Sequence, residues 1–230
     1  MVLFYIAHWQ TYITGTLKFG RFDVTEAQMC IMMIHVFSFL FGVDAWQSKV
    51  LGMQLWFIMA TFSLVTATFV LINFCRVFSK GGSGKNGSTV AGTSILSPIL
   101  PFLLVVIPAF VISEKSRSEL FLNHPVLYLL TFGLLAAKVS CRLVVAHMSK
   151  SEMNYFDSGL MGPLILFLNQ YFNEFISEYY VLWVAFMWVT FDLCWYSVHV
   201  CLEMCDHLNI QLFRIPYPPK VSKASNVSRK

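Results

Sequence analysis

Charge is scarce in this chain. Of its 230 residues, 12% are Asp, Glu, Lys or Arg, about half of the roughly 25% usual in soluble domains. Hydrophobic residues make up 57%, and Phe alone contributes 22. That balance argues against a water-soluble core and for an all-α integral membrane protein. The formal net charge of +4 is modest, so the placement of charges matters more than their sum. Nothing points to a nucleic-acid partner.

Several chemistries lack their residues. There is no CxxC pair among the six cysteines, which all lie in apolar segments, so neither a disulfide framework nor a zinc ribbon is indicated. His199, Cys201, Cys205 and His207 are close in sequence, and packed thiols in a membrane helix are the simpler reading. No nucleophile elbow and no HExxH occur. The glycine-rich stretch 76–94 invites a P-loop reading, but Ser79 and Asn86 stand where that motif requires Gly and Ser or Thr. The chain starts without a basic run or a small-residue cleavage site, so no signal peptide is expected. The aspartates number five (Asp23, Asp44, Asp157, Asp192, Asp206), and no two are three or four apart. The carboxylate pairs Asp23/Glu26, Glu174/Glu178 and Glu203/Asp206 read as a helix start, an interfacial turn and part of an ion-pair seam.

What is present is a series of apolar runs. Residues 1–17, 27–43, 50–74, 95–112, 120–152, 159–176 and 180–202 predict about seven transmembrane helices. The whole of 1–213 forms one bundle, and residues 214–230 a disordered tail. The sixth run has a purely apolar part of only ten residues before Asn169 and Gln170, so it either spans with a polar face or re-enters. The stretch 76–94 holds five glycines and reads as a basic loop, either a phosphate cradle built on backbone N–H groups or a flexible connector. On the first run Tyr5, His8 and Tyr12 share a face, read either as buried hydrogen bonding or as contact with a substrate.

The fifth run carries Lys138 and Arg142, four residues apart. A cation at the centre of a membrane helix costs about 2.5–3.5 kcal/mol. With Thr131 and Ser149 the two cations form a narrow strip that must face a bundle interior. In the seventh run Asp192, Tyr196, His199, Glu203 and Asp206 fall within an arc of about 80° on an ideal helix. An intramembrane seam joining Lys138 and Arg142 to Asp192 and Glu203 follows, structural in the first reading and a transport or catalytic path in the second. Eleven basic residues lie on one set of alternate loops and three on the other. The positive-inside rule places the eleven, and the tail, in the cytoplasm. Asn86-Gly-Ser88 and Asn226-Val-Ser228 are then cytoplasmic and unglycosylated.

Several short stretches are specific. His8-Trp-Gln-Thr-Tyr12, Gly84-Lys-Asn-Gly-Ser-Thr89, Ala91-Gly-Thr-Ser94, Ala146-His-Met-Ser-Lys-Ser-Glu-Met153 and Gln170-Tyr-Phe-Asn173 with Glu178-Tyr179 resemble the eukaryotic choline/ethanolamine phosphotransferases. These belong to the CDP-alcohol phosphotransferase family, and the match is to its choline-type branch. The resemblance covers the chain to about Arg214 and departs at Asn169, where Asp is expected. It implies a ten-helix homodimeric enzyme of the endoplasmic reticulum or Golgi. Such an enzyme moves a phosphoalcohol from CDP-choline or CDP-ethanolamine to diacylglycerol at the cytoplasmic side, using Mg²⁺ or Mn²⁺. His8 and Tyr12 on the first run, with Lys85 and Asn86 on the glycine-rich loop, are the substrate-binding candidates. The family signature Asp-x2-Asp-Gly-x2-Ala-Arg-x8-Gly-x3-Asp-x3-Asp is absent, so no catalytic residue and no metal ligand is carried over. The chain resembles the carboxyl-terminal seven helices of such an enzyme, a truncated or alternative product. A non-catalytic partner of the full-length enzyme and a small transporter are the competing functions.

Overall fold

The computed structural model describes residues 2–16, 24–50 and 52–213; the tail expected at 214–230 lies outside the described residues. The chain is all-α apart from a two-by-two-residue hairpin. In order come α1 (Val2–Thr14), α2 (Val24–Phe41), the antiparallel β1 (Lys49–Val50) and β2 (Met53–Gln54), α3 (Leu55–Ser79), α4 (Ile99–Lys115), the short α5 (Leu120–Asn123), α6 (Pro125–Ser149), α7 (Met161–Tyr171) and α8 (Glu178–Leu208). Among the described residues, seven helices exceed ten residues.

Their lengths differ from those of the expected spans. Among the described residues only α3, α6 and α8 are both long and apolar enough to cross a membrane, and Thr25–Phe41 is a shorter apolar helix. The third run does not start at residue 50, because the hairpin takes 49–54 and the helix begins at Leu55. The sixth yields an α7 of 11 residues, about 16 Å long against a hydrocarbon core of about 30 Å. It cannot cross alone.

The core lies among α1, α4, α6, α7 and α8. Tyr5, Trp9, Tyr12 and Ile13 of α1 meet Leu135, Val139 and Leu143 of α6, while Leu182, Ala185 and Val189 of α8 close the other side. α7 sits tightly on α8 because Gly162 faces it. A Cβ there would stand 3.0 Å from Val189 Cγ2 and 3.3 Å from the Ala185 carbonyl oxygen. Small residues at such crossings are how membrane helices gain dispersion contacts without a hydrophobic drive. Pro108 lies inside α4 and leaves the Leu104 carbonyl without its helical donor, and the Tyr128 hydroxyl ties α6 to α4 by donating to the Ala109 carbonyl.

α2 and most of α3 lie outside this core, which α3 meets only near its end, where Phe74 and Phe78 pack against Trp9. α3 has no buried residue, and Phe39, Leu64 and Phe69 are each more than 60% exposed. A helix with so much uncovered apolar surface needs lipid or further protein around it.

Candidate functional site

One end of the bundle gathers the last turns of α1, α3, α6 and α8 together with Arg76, Lys80, Lys85 and Lys150, and is called here the basic face. Two connections leave this face and run inward instead of lying on it.

The first is the glycine-rich loop. It docks on the end of α1, where the helix leaves carbonyls without partners. Ser83 N–H donates to the Ile13 carbonyl at 2.9 Å and Val90 N–H to that of Tyr12 at 3.1 Å. The chain then descends along α1. Trp9 Nε1 donates to the Ile95 carbonyl at 2.9 Å and the Tyr5 hydroxyl to the Pro98 carbonyl. Non-helical backbone at membrane depth must find donors for its carbonyls, and the aromatic face of α1 supplies them. The loop is folded, not a slack connector. Gly82 N–H donates to the Gly87 carbonyl and Gly84 N–H to that of Ser88, at 2.8 and 2.9 Å. A Cβ on Gly82 would lie 1.9 Å from the Ser88 oxygen, so only glycine fits. Because these N–H groups point inward, the loop offers the exterior chiefly the exposed side chains of Lys85 and Asn86. Asn86 takes a left-handed φ of 58° at the tip.

The second connection is 150–160. The Tyr12 hydroxyl, fully buried, donates to the Ser151 carbonyl at 3.0 Å. From there the chain runs down to Asp157, which a short 3-10 turn and α7 follow. Lys138 is only 3% exposed. Its ammonium donates to Asp157 Oδ1 at 2.8 Å, to Ser158 Oγ at 3.1 Å and, closer still, to Asp192. Three N–H groups thus meet three acceptors. Arg142 Nη1 donates to Asp157 Oδ2 at 2.6 Å and to the Phe156 carbonyl at 3.1 Å. Ser158 Oγ donates to Asp192 Oδ1 at 2.6 Å, and the Tyr196 ring centroid lies 5.6 Å from the Lys138 nitrogen.

Two cations and two carboxylates leave this cluster neutral. It is shaped to pin a chain segment to two helices, not to hold an anion. Lys138 lies eleven residues inside the end of α6, so Asp157 is pinned about 16 Å below the basic face. This explains the short α7: irregular chain covers the first half of the crossing and a half-helix the second.

The candidate residues divide accordingly. Lys138, Arg142 and Asp192 come together, joined by Asp157. Glu203 lies about three turns further along α8, exposed and outside the cluster. Tyr12 is enclosed where α1 meets 150–160. His8 is half-buried, its ring 4.5 Å from that of Phe4, and close enough to His147 for the two to interact electrostatically. Lys85 and Asn86 stand on the loop tip, so the four are spread over the basic face and the first turns beneath it.

Sequence reasoning missed Asp157, because it falls between the expected spans. The signal was the short apolar part of the sixth run, which left half a membrane crossing unfilled. It also missed the far end, where buried Glu178 accepts from Ser116 Oγ at 2.6 Å, Gln170 Nε2 at 2.7 Å and Ser118. That carboxylate ties the ends of α4 and α7 to the start of α8. Between α4 and α7 opens an apolar groove of about 730 Å³, lined by Ile107, Val111, Leu164 and Phe167, with Asp157 and Ser158 at its polar end.

No family model matches the chain. It is 46% identical to Cholinephosphotransferase 1 of Danio rerio over 221 residues, which cover 94% of this chain and 57% of that protein. Identity to Cholinephosphotransferase 1 of Homo sapiens is 45% over 216 residues, 93% and 53% of the two chains. An uncharacterized CDP-alcohol phosphatidyltransferase class-I family protein 2 of Dictyostelium discoideum is 28% identical over 223 residues, 94% and 52%. The chain spans about half the length of the relatives it matches. Identity of this degree along nearly all of the chain means common descent with just over half the length of these cholinephosphotransferases.

Proposed function

We propose that these helices are the supporting, carboxyl-terminal part of a choline-type CDP-alcohol phosphotransferase. That enzyme makes phosphatidylcholine from CDP-choline and diacylglycerol, with phosphatidylethanolamine a further product if CDP-ethanolamine is accepted. The observation that carries this reading is the 46% identity along 94% of the chain to a cholinephosphotransferase. Endoplasmic reticulum or Golgi membranes are the proposed location, with the basic face in the cytoplasm and a homodimer as the working assembly. Lys85 and Asn86 on the loop tip, with His8 below, are the groups proposed to meet a phosphate or headgroup. Tyr12 holds the backbone beneath them.

The family's Mg²⁺ or Mn²⁺ does not fit the residues present. Among the described residues no three His, Cys, Asp or Glu side chains gather as a ligand set. The carboxylates at depth, Asp157 and Asp192, are held by Lys138 and Arg142. No step of a reaction is therefore assigned to this chain's side chains. The metal-binding aspartates of the family signature, and the base that takes the acceptor's hydroxyl proton, are proposed to come from polypeptide outside these 230 residues.

The test is phosphocholine transfer in liposomes containing diacylglycerol, CDP-choline and Mg²⁺. The chain alone is expected to give no product above protein-free liposomes. Joined to the preceding segment of a full-length relative, it is expected to turn over. Turnover by the chain alone, or none by the joined protein in folded form, would overturn the proposal. Co-purification of an inactive chain with a full-length relative would favour the non-catalytic partner instead.

A further inference from the structure

The connection 151–157 has no regular structure, yet it descends from Tyr12 at the basic face to Lys138 and Asp192 about 16 Å below. Among the described residues, none of the backbone N–H groups of Glu152 through Asp157 has an acceptor within the fold. Glu152, Asn154 and Tyr155 are exposed, while the exposed ring of Phe156 borders the apolar groove. Six unpaired N–H groups in hydrocarbon would cost several kcal/mol each. Irregular backbone at that depth is tolerated only when buried in protein or lining water. Apart from Met153, which packs into the core, and half-buried Asp157, this segment is not buried.

The wall facing it is polar too. Tyr196 sits beside Lys138, its ring centroid 5.6 Å from the ammonium nitrogen. His199, Glu203 and Asp206 continue the same strip of α8 upward and are exposed. By helical rise from the Lys138–Asp192 pair, Glu203 lies level with the end of α6, three residues before Glu152.

We infer that segment 151–158, Arg142 and the polar strip of α8 line a water-filled inlet, open at the basic face and floored by the Lys138–Asp157–Asp192 cluster. Water satisfies the six N–H groups, and the cluster seals the inlet from the apolar groove behind it. The floor is neutral, whereas at the mouth Glu152, Glu203 and Asp206 outnumber Lys150, so the inlet admits cations in preference to anions.

Two measurements test this, independently of any enzymatic activity. Hydrogen exchange of the unmodified chain in lipid nanodiscs is expected to deuterate 152–157 within a minute, while the flanking parts of α6 and α8 stay protected at least 100-fold longer. Asn154→Cys and Tyr155→Cys, followed peptide by peptide with the native cysteines in place, are expected to react with a membrane-impermeant cationic methanethiosulfonate. Their rate should exceed that of Leu64→Cys on α3 by at least 100-fold, and that of the anionic reagent by about tenfold. Protection of 152–157 comparable to the helices would overturn the inlet, because it means lipid or protein covers the segment. So would thiol reactivity as slow as at Leu64→Cys. Equal rates for the two reagents would overturn the acidic lining.

Discussion

Lys138 shows how a residue that is costly in isolation becomes a fastening. Alone at mid-membrane it would oppose insertion; with Asp157, Asp192 and Ser158 around its ammonium, all three donors are used. The reverse follows. Removing one member of a buried pair leaves a charge uncompensated, typically at 3–5 kcal/mol. Asp157→Asn is therefore expected to lower stability in detergent by about 3–5 kcal/mol, read by thermal unfolding, because it weakens the grip of both Lys138 and Arg142. Glu203→Gln, on an exposed turn outside the cluster, is expected to change it by less than about 0.5 kcal/mol. Lys138→Met combined with Asp192→Leu is expected to cost less than the sum of the two single changes, by about 0.5–3 kcal/mol. Additive losses would mean the two side chains are not coupled.

At the scale of elements, α1 does the organising. Its aromatic face is an array of donors, and Tyr5, Trp9 and Tyr12 each bond a backbone carbonyl on one of the two descending connections. Trp9→Phe keeps most of the ring but leaves the Ile95 carbonyl without its donor. The expected loss is about 1–3 kcal/mol, with tryptic cleavage after Lys85 becoming several-fold faster as the loop loosens. Gly82→Ala is expected to speed the same cleavage through a different cause, since its methyl would collide with the Ser88 carbonyl. A loop cut at an unchanged rate in both variants would show that docking on α1 does not hold it. The spacing of Tyr5, His8 and Tyr12 made a shared face legible in advance. That the face serves two irregular connections was not, because carbonyls that need donors leave no trace in composition.

For the whole molecule, the division between α1, α4, α6, α7 and α8, which pack together, and α2 and α3, which pack against little, is the main feature. Leu64→Lys places a charge on a helix with no partner for it and is expected to reduce membrane insertion of α3 by about 2.5–3.5 kcal/mol, measured by glycosylation mapping in microsomes. Lys138 at similar depth inserts because its partners are in the bundle. Composition and apolar runs by themselves determined that the chain is a membrane protein of helices, roughly where each helix lies, and that Lys138 and Arg142 face inward. Those conclusions rest on transfer free energy, which each stretch of chain carries locally. Short motifs were enough to indicate the family. Tertiary structure alone decided that α7 is a half-helix and that Asp157, fifteen residues beyond Arg142, is the carboxylate between the two cations. It also decided that Glu203 stands apart and that Gly82 permits a turn in which backbone meets backbone. Each of these depends on groups distant in sequence meeting at a few ångströms, and the local pattern of the chain does not encode which distant partner satisfies a buried charge.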